Sequence, residues 1–142
     1  MPETVEVPAS MVMVRTVREG KEYIQSNEVI DLVNETAGLK YAAFVNSIFH
    51  LPNDGDNDKF KAAVDDLRKS FVDKIQPCIT PISHGNRRDD LLLMQHAIKP
   101  FFLDGYPAND NTGRRAHLLY VFLGILLGKT ESYTFLKLLE EY

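Results

Sequence analysis

Ten consecutive apolar residues, Leu118 to Leu127, form the longest such run in this chain and limit its fold more than any other feature. A bilayer-spanning helix needs about 20 apolar residues, so a run of this length reads as a buried core helix. Asn111 or Thr112 supplies an N-cap, Gly113 to Leu127 forms the helix, and Gly128 supplies the stop. A helix that is apolar on nearly every side must be surrounded by others. The expected fold is therefore mainly α: about six helices around a central apolar helix at 113–127, with a short N-terminal β-hairpin at 12–25.

The surrounding elements follow from spacing. Val12 to Val17 is rich in Val and Met, Glu19-Gly20 suits a turn, and Lys21 to Gln25 resumes an extended pattern. Ser26 or Asn27 can open a helix to about Thr36, closed by Gly38, and a second helix runs from Lys40 to His50 ahead of Pro52. Phe60, Val64, Leu67, Phe71 and Ile75 recur at steps of three and four and predict one amphipathic helix. Asp89 or Asp90 starts a helix through Leu91 to Ile98, whose three successive leucines imply burial on more than one side, and Pro100 terminates it. Phe101 to Asn111 reads as a loop. Thr130 starts a last helix with an apolar stripe of Tyr133, Leu136, Leu139 and Tyr142.

With 142 residues, 44% of them hydrophobic and 25% charged, the chain is expected to be a single globular domain over 1–142, with 1–10 flexible. Cys78 is the sole cysteine, which excludes an internal disulfide framework and fits a reducing, cytoplasmic or host-cytoplasmic setting. The N-terminus carries acidic residues where a signal peptide needs positive ones, and no membrane segment is expected. The net charge of -4 leaves no basic footprint for a phosphate backbone. Residues 1–80 hold nine Lys/Arg against thirteen Asp/Glu, whereas residues 81–120 hold five against four together with His84, His96 and His117. An anionic ligand would find its best reception in that second stretch.

There, Asn111-Thr112-Gly113-Arg114-Arg115 places two arginines in the first turn of the apolar helix, against the helix dipole. Two explanations stand side by side. Gly113, Arg114, Arg115 and His117 can converge with free backbone N–H groups on a phosphate or carboxylate. Alternatively, Asp104 and Asp110 in the preceding loop pair with the arginines.

Pro100-Phe101-Phe102-Leu103-Asp104-Gly105, followed by Gly113-Arg114-Arg115, faintly resembles the catalytic loop of Fic-type AMP-transferases. That resemblance would imply an AMP-transferring active site, but Lys99 stands where the loop has its histidine base and the arginines are adjacent instead of three apart. His96, one turn earlier, would have to substitute. At the other end, Ser26 to Leu32 and Gly38 to Val45 behind a hairpin resemble the helix-turn-helix regions of phage regulatory and antirepressor proteins. This implies a nucleic-acid-binding regulator of phage or viral type. A recognition helix needs Arg, Lys, Asn or Gln towards the bases, and the second helix offers Lys40, Asn46 and His50.

Asp54, Asp56 and Asp58 with Asp65 follow the spacing of a calcium loop, but Lys59 occupies the position that needs glycine and the twelfth ligand is not Glu. The histidines lack metal spacing, and no nucleophile motif or phosphate-cradling loop is present. No metal and no cofactor are therefore expected. The leading reading is a non-catalytic binding and assembly protein with a protein partner, first of all itself as a homodimer, because two strongly apolar helices at 91–98 and 116–127 leave little polar chain to cover them. The first alternative is a nucleic-acid-binding regulator using the hairpin and helices 27–50, with Lys40 and Asn46, or a basic patch of Arg87, Arg88, Arg114 and Arg115. The second is an enzyme or nucleotide binder with an anion site at 113–115.

Overall fold

The computed structural model describes residues 11–17, 20–52, 57–82, 85, 87–103 and 112–142, and these are mainly helical. The expectations for residues 1–10, for the turn residue Glu19, for His84, and for Asp104 and Asp110 as partners of the arginines lie outside them. Backbone segments Met11–Val17 (β1) and Gly20–Gln25 (β2) pair antiparallel, with Val14 opposite Tyr23, and the chain passes directly into helix α1, Ser26–Ala37. Helices α2 (Leu39–Phe49), α3 (Asn57–Ser70), α4 (Arg88–Ile98), α5 (Pro100–Leu103), α6 (Thr112–Leu126) and α7 (Ser132–Glu141) follow.

A single residue, Gly38, joins α1 to α2. Its φ of 111° lies in the region that side chains other than glycine rarely enter, so the chain can reverse there without strain. Its N–H closes on Val33 and Asn34, and the two helices pack against each other along their length. At the end of α6, Gly128 (φ 77°) serves as the left-handed stop, and Lys129 N–H returns to the Gly124 carbonyl at 2.8 Å.

One buried cluster runs from Val29 to Leu139. At its middle, four phenylalanines from four elements meet: Phe44 of α2, Phe71 behind α3, Phe122 of α6 and Phe135 of α7. Every pair among them lies between 4.8 and 6.3 Å apart, tilted or edge-on. These are the separations at which ring edges meet ring faces favourably, and all four rings are buried. Helix α6 packs on α2, α4, α5 and α7, and buries Leu118, Leu119, Val121, Phe122, Leu123, Ile125 and Leu126.

Four local expectations are corrected. The helix through Phe60 and Ile75 is not uniform: after Ser70 it widens to a π-helical turn over Phe71–Ile75, keeping Phe71 and Ile75 both in the core. Pro100 ends α4 but also begins α5, because a proline lacks only the N–H that a first helical residue leaves unused; Phe101 and Phe102 are thus helical, with Phe101 buried. Helix α7 starts at Ser132, and its buried stripe is Phe135, Leu138 and Leu139, while Tyr133 is 62% exposed. The stripe is turned because Phe135 is drawn into the ring cluster. Lastly, Leu91 is buried but Leu93 is 67% exposed. Successive helical residues diverge by about 100°, so three adjacent leucines cannot share one neighbour.

Gly124 also has a definite role. A Cβ there would stand 2.7 Å from Thr130 Oγ1 and 3.0 Å from Gln95 Nε2, so the glycine admits these two side chains to the α6 backbone. Gln95, buried on α4, then donates to the Tyr120 carbonyl at 2.9 Å.

The ring cluster predicts a steep difference between two apolar positions. Phe122→Ala removes a ring touching three others and is expected to lower the unfolding free energy by about 3–5 kcal/mol, against less than about 0.5 for Leu93→Ala. Urea denaturation of the two variants checks this.

Candidate functional site

The start of α6 does not gather its four candidate residues on one point. Adjacent residues on a helix face directions about 100° apart, so Arg114 and Arg115 diverge, whereas Arg114 and His117, three apart, share a face. Arg115 is 3% exposed, and its Nη1 lies 3.5 Å from the Phe49 carbonyl and 3.4 Å from that of Leu51, at the C-terminal end of α2. Arg114 turns outward between two rings, with its guanidinium carbon 5.2 Å from the centre of Phe60 and 5.7 Å from that of Tyr142. Gly113 is half-buried.

His117 lies against the same Tyr142. Its Nδ1 is 2.8 Å from the tyrosine hydroxyl, and its ring stacks on Phe102 with centres 4.5 Å apart and planes 16° from parallel. The structure thus brings Arg114 and His117 together through Tyr142 and directs Arg115 elsewhere. Burial holds the imidazole below its usual 6.5, opposed by the carboxylate of Glu141. Burial raises the Tyr142 phenol, with Arg114 pulling it down and Glu141 pushing it up. Beside this stack, His117, Val121, Tyr133, Thr134, Lys137 and Glu141 line an open hollow of about 240 Å³ between α6 and α7.

The basic patch is likewise divided. Arg88 donates from Nε to the Ile82 carbonyl at 2.7 Å and from Nη2 to the Leu127 carbonyl at 2.9 Å, at the end of α6. Ile82 N–H in turn donates to Leu126 at 2.7 Å, so the segment between the π turn and α4 is strapped to α6. Arg88 and Arg115 each meet a helix C-terminus, where carbonyl groups without helical partners carry partial negative charge. Arg87 bridges the carboxylates of Glu35 and Asp90, the latter at 2.8 Å. Asn46 is exposed on α2, with its carbonyl taken by His50.

Lys40, the remaining candidate cation, stands with its Nζ 3.4 Å from Cys78 Sγ. Tyr41 OH donates to the Cys78 carbonyl at 3.1 Å and lies 3.6 Å from the same sulfur. The thiol is exposed and can also donate to the Lys74 carbonyl at 3.4 Å. Hydrogen bonding by Tyr41, with Lys40 adding a second donor and its charge against some desolvation, holds the thiol below its usual 9.0. Among the described residues no group of three or more His, Cys, Asp or Glu side chains is placed to hold a metal ion. No described helix is long and apolar enough to cross a membrane.

A groove between α1 and α4 escaped the reading of the sequence. Glu28, Asp31, Leu32 and Glu35 recur along one face of α1, and Arg87, Asp90, Leu93, Met94 and Ala97 along one face of α4. Together they enclose an open groove of about 510 Å³ with Leu32, Leu93, Met94 and Ala97 as its apolar residues. Four carboxylates and one arginine edge it, leaving an excess of three negative charges. The signal was available in the spacing of Glu28, Asp31 and Glu35 and in the run of leucines. The cysteine cluster gave no such signal, since Lys40 and Tyr41 are distant from Cys78 along the chain.

Two measurements check these electrostatic assignments. A histidine whose folded value is depressed binds its proton less readily folded than unfolded, so stability should fall as pH drops below 6.5 and level off above it. His117→Phe is expected to flatten that part of the melting temperature's pH profile. For the thiol, Tyr41→Phe and, less strongly, Lys40→Met are expected to slow alkylation of Cys78 by iodoacetamide near pH 8 and to move its rate profile to higher pH.

Compared with protein-family models, curated proteins and solved structures, the chain finds no match, and the argument for function rests on its own side chains.

Proposed function

We propose that this chain is a non-catalytic binding and assembly protein acting through protein–protein contacts, with the α1/α4 face as its principal contact surface. One observation carries the reading: Leu93, two-thirds exposed, stands in an apolar groove instead of in the core that its sequence neighbours enter. Exposed leucines taken singly are ordinary, but one in a continuous groove with Met94 and Ala97 is what recognition surfaces present. Arg87, Arg88, Arg114 and Arg115 support the same reading, since each is engaged by a carboxylate, a helix end or an aromatic ring. The architecture that goes with the proposal is a single domain of helices grouped around α6, with the hairpin at 12–25 as an N-terminal attachment. A second copy of the chain is one candidate partner, for which Leu39 and Tyr133 offer further exposed apolar surface.

The test sets the three functional classes against one another. An environment-sensitive apolar dye is expected to bind the native protein and to lose most of its signal in Leu93→Ser. Labelled DNA and RNA are expected not to bind at about 50 mM salt, where phosphate contacts are strongest. Binding there that weakens in Arg87→Gln would favour a nucleic-acid regulator. A melting temperature raised by inorganic phosphate in wild type and unmoved in Arg114→Ala would favour an anion site.

A further inference from the structure

Resting on that reading, we infer that the α1/α4 groove accepts a cationic amphipathic helix from another protein. Both the shape of the groove and its charge identify the occupant. Its walls are helices whose internal backbone N–H and C=O groups are bonded within each helix, so an extended peptide would find no ladder to join. A helix satisfies its own backbone and needs only a surface for its side chains. From Arg87 to Ala97 the α4 wall covers ten residue steps, about 15 Å. That length matches an apolar stripe at positions i, i+3, i+4 and i+7 of an incoming helix, which would lie beside α1 and α4 as a third member. Leu93 and Met94 would enter its grooves, and the unbranched Met94 can adjust to different side chains.

Charge selects among helices. Glu28 and Asp31 stand on the exposed rim of α1, and Glu35 and Asp90 hold Arg87 between them, so the wall closest to the opening is acidic. A partner with Lys or Arg beside its apolar stripe meets complementary charge on entry. Two copies of this face packed on each other would instead bring two acidic rims together, and the chain as a whole carries -4. The groove therefore favours a basic partner over its own copy.

The test uses the full chain and three fluorescein-labelled peptides of about 14 residues, enough for four helical turns. All share leucines at i, i+3, i+4 and i+7 and differ only in a polar face of Lys, Gln or Glu. Anisotropy should show the Lys peptide binding most tightly, with affinity falling about tenfold between low salt and roughly 300 mM. Glu28→Gln with Asp31→Asn should reduce that affinity and its salt dependence, and Leu93→Ser should abolish binding. Ala97→Arg, at a second exposed position, should block the groove with the partner's own charge. Circular dichroism confirms that each variant is folded.

Equal binding of the Gln and Lys peptides, both lost in Leu93→Ser, would overturn the cationic assignment and leave the proposed function standing. Lys-peptide binding that survives both Leu93→Ser and Ala97→Arg would reduce the interaction to surface charge and overturn both. Failure of all three peptides to bind at protein concentrations near 1 mM, the weak limit of specific recognition, would do the same. Sedimentation showing a dimer that Leu93→Ser dissolves would make a second copy the occupant and overturn this inference alone.

Discussion

Helices α2, α6 and α7 and the π turn behind α3 converge on four phenylalanine rings, each touching the other three. No pair of these segments is adjacent in the chain except α6 and α7, so the cluster ties together stretches that connectivity alone would leave independent. Its geometry also sets the phase of the surrounding helices. Phe135 inside the cluster turns Tyr133 outward on α7, and Phe71 inside it sets the register of the π turn. The hydrophobic effect supplies the drive, but it is indifferent to direction; the edge-to-face preference of rings makes one arrangement better than its neighbours.

Around that apolar centre the arginines act as connectors. Arg115 reaches the end of α2, Arg88 reaches the end of α6, Arg87 spans α1 and α4, and Arg114 lies against Phe60 and Tyr142. A guanidinium presents several donors in a rigid plane, which suits one side chain to two carbonyls or to a ring face, and lysine could not replace it in either duty. Using arginines in this way leaves the outer face between α1 and α4 to carboxylates and exposed apolar groups. The acidic character of the groove and the internal use of the cations are two sides of one arrangement.

How far the sequence discloses this depends on the range of the interaction. The helical class, the Gly38 and Gly128 breaks and the burial of Leu118, Leu119 and Phe122 follow from local rules, because periodicity and backbone freedom act over a few residues. The phase of α7 was misjudged because two stripes are available in its sequence, one through Tyr133 and Leu136 and one through Phe135 and Leu138, and only tertiary contact with the other rings chooses between them. At the candidate site, adjacency of Arg114 and Arg115 suggested convergence, although helical geometry alone separates them. The partners of Arg115 and Cys78 belong to α2 and its end, and no pattern within either local segment points to them.

The π turn at Phe71–Ile75 has a consequence for how this chain tolerates change in its length. A π turn holds one residue more than an α turn would over the same path. Deleting one residue there would let the helix run on regularly, yet everything after it would be rotated by about 100° relative to the residues before. Ile75 would leave the core, and Cys78 would swing away from Lys40 and Tyr41. One surplus residue thus couples the interior of the protein to the setting of its single thiol, so that neither can be re-registered without the other.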